Sequence, residues 1–225
     1  MYQLTPSSSQ VLAVPVHECG EPLVDIKLLG GLQYGPPPER PETQGDYTFV
    51  RQGIYSRLLH AQSLLPPGIF LRLYEGYRSL YVQKMLFNDE LERVQRRQPG
   101  ISGSALFYEA TRMVSAVAYP DGSQNIPPHN TGAAVDLFLV DSSGTMLDFG
   151  MDIYRWTETD PDLCLTHTPC ISDSAMKNRR LLEEVMTRAG FVNYLQEWWH
   201  FSYGDRFWAY LSGHGHAVYG GISHQ

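Results

Sequence analysis

The chain has 225 residues, 43% of them hydrophobic and 18% charged, which is the composition of a globular protein with room for one sizeable core and excludes a disordered chain. Seventeen Lys and Arg against 24 Asp and Glu leave a net charge of −7, a poor match for nucleic acid or an anionic membrane surface. Three cysteines, Cys19, Cys164 and Cys170, are too few and too odd in number for a disulfide framework, so reduced thiols are expected.

The N-terminal residues lack a basic head followed by an apolar run, so the expected location is the cytoplasm. No stretch approaches the ~18 apolar residues of a membrane span. Residues 1–47 read as an N-terminal arm whose 34–44 segment, with Pro36, Pro37, Pro38 and Pro41, is a surface loop. Residues 48–65 carry Ile54, Leu58 and Leu59 at helical spacing and are stopped by Pro66-Pro67-Gly68. Residues 69–77 are rich in β-branched and aromatic side chains and predict a strand. Ser79 is placed to cap a long helix over 80–97, and a third helix is predicted over 104–118.

Residues 133–140 (AAVDLFLV) predict a buried strand, and the turn Asp141-Ser142-Ser143-Gly144 lets 145–149 pair back as a hairpin. Residues 151–171 are long and irregular, which in a compact domain points to a segment that lines a site. A helix opened by Ser172 or Asp173 runs to Ala189 and closes at Gly190, and the aromatic-rich 191–203 predicts a last strand. Residues 211–225, with His214 and His216, read as a tail. Helices and short strands without strict alternation predict a single α+β domain with a small, mainly antiparallel sheet.

Two segments carry chemistry. PHNTGAAVD offers His129 and Asp136, and EWWH offers Glu197 and His200. Two imidazoles and a carboxylate are the three protein ligands of a catalytic zinc that keeps a fourth position for water, and an unligated Glu197 would serve as general base. Asp136 inside an apolar strand needs a partner, because a buried lone carboxylate is costly; a structural ion pair is the alternative. Glu197 and His200, three apart, share a face on a helix but oppose each other on a flat strand, so a strand there requires a bulge or puts Glu197 at its entrance. Arg78, at the end of the 69–77 strand, is placed either to hold a developing oxyanion or to pair with Glu75. Cys164, His167 and Cys170 lack a fourth ligand and the usual spacing for a second zinc.

With those residues in place, the chain resembles the zinc D-Ala-D-Ala dipeptidases, over about residues 24–210. EGYRS with Arg78, HNTGAAVD, and EWWH after GFVNY carry the resemblance. It implies one Zn²⁺ bound by His129, Asp136 and His200, Glu197 as acid/base, and Arg78 steadying the carbonyl oxygen. It also implies Asp152 as receiver of the substrate ammonium and Tyr34 as a pocket wall. The family's serines before the first metal histidine are Pro127 and Pro128 here. The implied partner is a small D,D-dipeptide, with no nucleic acid, membrane or obligate protein partner. A D,D-carboxypeptidase or peptidoglycan-fragment hydrolase of the same family is the alternative, and a non-catalytic zinc-stabilised binding module is the second.

Overall fold

The run AVDLFLVD is buried over seven of its eight positions and forms the centre of the molecule, as a strand covered on both faces must be. The computed structural model describes residues 4–38 and 40–222. Their elements in chain order are α1 (Ser9–Leu12), β1 (Leu23–Asp25), α2 (Ile26–Leu29), β2 (Gln33–Tyr34), β3 (Phe49–Arg51), α3 (Gln52–Ser63), β4 (Ile69–Glu75), α4 (Leu80–Arg97) and α5 (Gly103–Ala110). They continue with β5 (Ala134–Asp141), α6 (Pro161–Cys164), α7 (Asp173–Arg188), β6 (Val192–Asn193), β7 (His200–Ser202) and α8 (Arg206–Leu211).

Five strands form the main sheet in the order β2-β4-β5-β7-β6, antiparallel except for the β2–β4 pair. A small second sheet pairs β1 with β3. This is the α+β architecture expected, with the predicted mainly antiparallel sheet. Ser79 caps α4 by accepting from the Val82 amide, and Ser172 caps α7 by accepting from Ala175.

Four expectations need correction. Residues 48–65 are not one helix: the β-branched and aromatic Phe49-Val50-Arg51 pair with Leu23–Asp25, and α3 begins only at Gln52. The 104–118 helix ends at Ala110, where Thr111 Oγ1 donates back to the Tyr108 carbonyl at 2.8 Å. The following residues run as a wall instead. The 145–149 return is a single bridge, Val140 to Met146, rather than a strand. The 191–203 strand is broken into β6 and β7 by a turn.

The expected arm and tail both pack into the body over their described residues. Ile26 of the expected arm and Ala217 of the expected tail are fully buried. The His214 ring lies 4.2 Å from Trp208, and His216 lies 4.4 Å from His17. Arg51 ties the ends together: its Nε donates to the Thr131 carbonyl at 2.8 Å, Nη1 to Glu21 O at 2.5 Å, and Nη2 to Gly220 O at 3.2 Å. Thr131 belongs to the turn that carries His129.

Gly132 ends that turn at φ +67°, and a Cβ there would sit 2.4 Å from Leu23 Cδ2. Gly132→Ala is expected to cost about 2–4 kcal/mol, from the left-handed backbone and the overpacking together. The urea midpoint measures it, and a midpoint equal to wild type would show that Leu23 yields freely.

Candidate metal centre

Each functional side chain is fixed by a different local device. His129 sits on the 3-10 turn Pro128–Thr131, where Pro127 and Pro128 supply the extended entry and the helical φ of the first turn. Its Nδ1 lies 2.8 Å from the Gly76 carbonyl, so Nδ1 carries the ring proton and Nε2 offers its lone pair. Asp136 projects from β5, whose register sets it opposite His200 of β7. A register shift between Leu73 and Glu75 lets β4 bend toward the same spot, and the Arg78 amide then donates to His129 O at 3.2 Å.

The turn between β6 and β7 resolves the spacing of Glu197 and His200. The Glu197 amide donates to Tyr194 O at 2.8 Å, and the His200 amide donates to Glu197 O at 3.1 Å. Asn193 Nδ2 donates to the Glu197 and His200 carbonyls at 3.2 and 2.9 Å, stapling both sides. Glu197 therefore precedes the strand rather than alternating along it, and its carboxylate comes within 3.8 Å of His200 Nδ1. The long 151–171 segment supports this turn from below: the Trp198 amide donates to Cys164 O at 2.9 Å, and the Thr166 amide donates to Leu195 O at 3.0 Å.

The three predicted ligands converge. His129 Nε2 lies 3.1 Å from His200 Nδ1 and 3.4 Å from Asp136 Oδ2, and His200 Nδ1 lies 2.9 Å from Asp136 Oδ1. All three side chains are buried, and they are the only such three-residue group among the described residues. Two imidazoles and a carboxylate turned toward one point are a donor set that suits a cation between them. His200 Nε2 is buried without a hydrogen-bond partner, which leaves Nδ1 as the ring atom engaged with the cluster. The residues fit a divalent metal.

Burial opposes the charge on Asp136, yet the adjacent imidazoles and their hydrogen bonds hold its carboxyl far below the usual carboxylate range. Burial pushes His200 below its ordinary 6.5, against the pull of Asp136. Both directions favour the deprotonated, metal-ready forms at neutral pH. For His200 the unfolded chain takes up its proton first as pH falls below about 6.5, so that group removes stability toward acid. Asp136 adds stability above the ordinary carboxylate range and loses it only as pH falls below that range. The metal-free protein is expected to lose stability between pH 7 and pH 5.5 through His200, with a smaller loss in His200→Asn. Urea midpoints across that range test this, and a wild-type midpoint that rises toward acid would contradict it.

Arg78 pairs with Glu75, the second reading of its position. Its Nε donates to Glu75 Oε1 at 2.9 Å, its Nη2 pairs with Glu75 Oε2, and its Nη1 donates to Gln83 Oε1 at 3.0 Å. The same guanidinium lines the cleft, beside the metal cluster and Glu197. The cleft has a cavity volume of about 50 Å³. The aromatic residues Tyr74, Trp156, Tyr194 and Trp199 line it, whereas Trp198 stacks on Phe149 at 4.2 Å within the core.

Asp152 and Tyr34 are not brought to the cleft. Asp152 is exposed and accepts from the Tyr154 amide at 2.9 Å, capping its own turn. Tyr34, 43% exposed, sits on edge strand β2 near the Lys27 ammonium. Cys164 is buried and Cys170 exposed, both free, and burial pushes the Cys164 thiol up to about 12. His167 instead faces Glu183, at 3.4 Å. Sequence reasoning missed Thr111, Arg112, Ser115 and Tyr194, which line the cleft. The first three were hidden by the helix predicted through them; Tyr194, in the GFVNY stretch, was within reach.

Residues 42–214 match the family model described as D-ala-D-ala dipeptidase, Peptidase_M15. A D-alanyl-D-alanine dipeptidase of Synechocystis sp. is 31% identical over 219 residues, covering 88% of each chain. The chain belongs to the D-Ala-D-Ala dipeptidase family. A second member, the D-alanyl-D-alanine dipeptidase of Escherichia coli K12, is 38% identical over 73 residues, 32% of this chain and 36% of that protein. The solved structure of VanYB in complex with D-Alanine-D-Alanine is 16% identical, with a TM-score of 0.44 over 74% of this chain and 79% of that one. Membership makes this chain an enzyme, a metallopeptidase, and the convergent His129, Asp136 and His200 supply the metal-binding set such an enzyme needs.

Proposed function

We propose that this family member is a zinc dipeptidase that hydrolyses D-Ala-D-Ala or related short D,D-dipeptides, with His129, Asp136 and His200 as the ligands. The observation that carries the reading is the approach of Glu197 to within 3.8 Å of His200 Nδ1, beside a three-ligand cluster of which it is not a member. A purely structural site has no use for such a base. A Zn²⁺ held by these ligands supplies Lewis acidity toward the scissile carbonyl and a water acidic enough to react near neutral pH.

The chain's own residues do the rest. The Glu197 carboxylate accepts a proton from the attacking water as the new C–O bond forms at the carbonyl carbon. It then passes that proton to the departing amine nitrogen as the C–N bond breaks, so one side chain serves as base and then as acid. Arg78, held rigid by Glu75 and Gln83, offers positive charge to the carbonyl oxygen as it turns anionic. Tyr74 and Trp199 give the cleft aromatic walls, and water displaced from them by a bound peptide strengthens both interactions.

A second reading has a specific observation in its favour. Asp152 lies outside the cleft, and the carboxylates lining it are Asp136 and Glu197, both committed to the metal chemistry. That arrangement suits a carboxypeptidase that accepts an N-acylated peptide. Release of D-alanine from free D-Ala-D-Ala and from N-acetyl-D-Ala-D-Ala, with zinc restored after chelation, separates the two. Faster cleavage of the free dipeptide supports the dipeptidase; faster cleavage of the blocked one supports the carboxypeptidase.

A further inference from the structure

We propose that Arg112 receives the C-terminal carboxylate of the peptide substrate and so sets the preference of this site for a free acid end. The inference rests on the peptidase reading above and names the recognition partner that reading lacks. The two positions before His129 are Pro127 and Pro128, and Pro128 lines the cleft. Proline has neither a backbone N–H nor a side-chain donor, so that wall offers a carboxylate nothing at these positions. The segment left when α5 ends at Ala110 also lines the cleft, and Arg112 is part of it.

Arg112 is anchored there and underused. Its carbonyl accepts from Tyr194 Oη at 2.7 Å, and the same segment is pinned further on by Gln83 Nε2, which donates to Ser115 O at 2.7 Å. Gln83 also accepts from Arg78, and the Tyr194 ring packs edge-on to His200, so Arg112 is indexed to both halves of the reaction centre. Its Nη1 donates to Glu109 at 2.8 Å and its Nη2 to Gln196 at 3.3 Å, the residue just before Glu197. Its Nε is buried with no partner. Among the described residues two of its five guanidinium donors are engaged, and the planar fork matches a carboxylate. Arg78 differs: the buried Glu75 already takes its fork, which suits it to a transient oxyanion rather than a standing anion.

The test compares zinc-loaded wild type with Arg112→Met and Arg112→Lys on D-Ala-D-Ala and on D-Ala-D-Ala amide, which lacks the terminal charge. Wild type is expected to favour the acid. In Arg112→Met the acid-to-amide ratio of kcat/KM falls by about 10–100-fold, carried by KM for the acid, as loss of a charge-assisted contact predicts. Arg112→Lys, a point charge without the fork, retains part of the ratio. Melting curves and zinc content equal to wild type show that the variants fold. A ratio unchanged in Arg112→Met, or a wild type that cuts acid and amide equally, overturns the role of Arg112 alone. Failure of wild type to cut either peptide overturns the peptidase reading and this inference with it.

Discussion

Glu197→Gln is expected to lower kcat by about 10²–10⁴-fold while zinc stays bound at one ion per chain, since general acid–base catalysis contributes on that scale. The geometry separates the two effects. Glu197 is not one of the three converging ligands, so its loss leaves the metal set intact. The turn that presents it is held by backbone bonds and by Asn193, none of which uses the Glu197 carboxylate. The amide keeps the shape and removes the proton acceptor, so KM should change little. Metal analysis alongside steady-state kinetics reads both quantities. Full turnover by Glu197→Gln would falsify the assignment of the base; loss of zinc in the same variant would instead make Glu197 a ligand.

Removal of the metal, or of the aspartate that helps hold it, should have the other large effect, and it is visible without an assay. A metal that binds only the folded chain stabilises it by about 4 kcal/mol at a thousandfold excess over Kd. For a domain of this length that is a rise in Tm of about 8–16 °C, at about 2–4 °C per kcal/mol. Chelation is expected to lower Tm by that amount, and zinc to restore it. Asp136→Ala should abolish both the zinc-dependent rise and turnover, because it removes the anion that lies 2.9 and 3.4 Å from the two imidazoles. A zinc-dependent rise in Tm that survives in Asp136→Ala places the metal elsewhere.

The ligand set was legible in the sequence because each member stands out chemically. A carboxylate within AAVDLFLV needs a partner, and a metal held with two histidines provides one, as an ion pair also would. The long helices were legible too, since their periodicity, caps and stops are local. Asp152 and Tyr34 were carried by motif likeness, and nothing local in the sequence fixed where their side chains point. The structure spends Asp152 on capping its own turn and leaves Tyr34 on the sheet edge.

The sequence by itself determined the α+β class, the helices α4 and α7 and the three side chains that converge in the cleft, because local periodicity and the cost of burying charge speak through residue type alone. Only the tertiary structure decided that Glu197 and His200 face the same point, since a turn stapled by Asn193 replaces the alternation of a strand. It alone put Arg112 on the cleft, because α5 stops at Ala110 and the next residues are pinned by Tyr194 and Gln83 from distant parts of the chain. Contacts between residues 32 and 82 positions apart leave no periodic trace in sequence, and it is these contacts that aim the side chains.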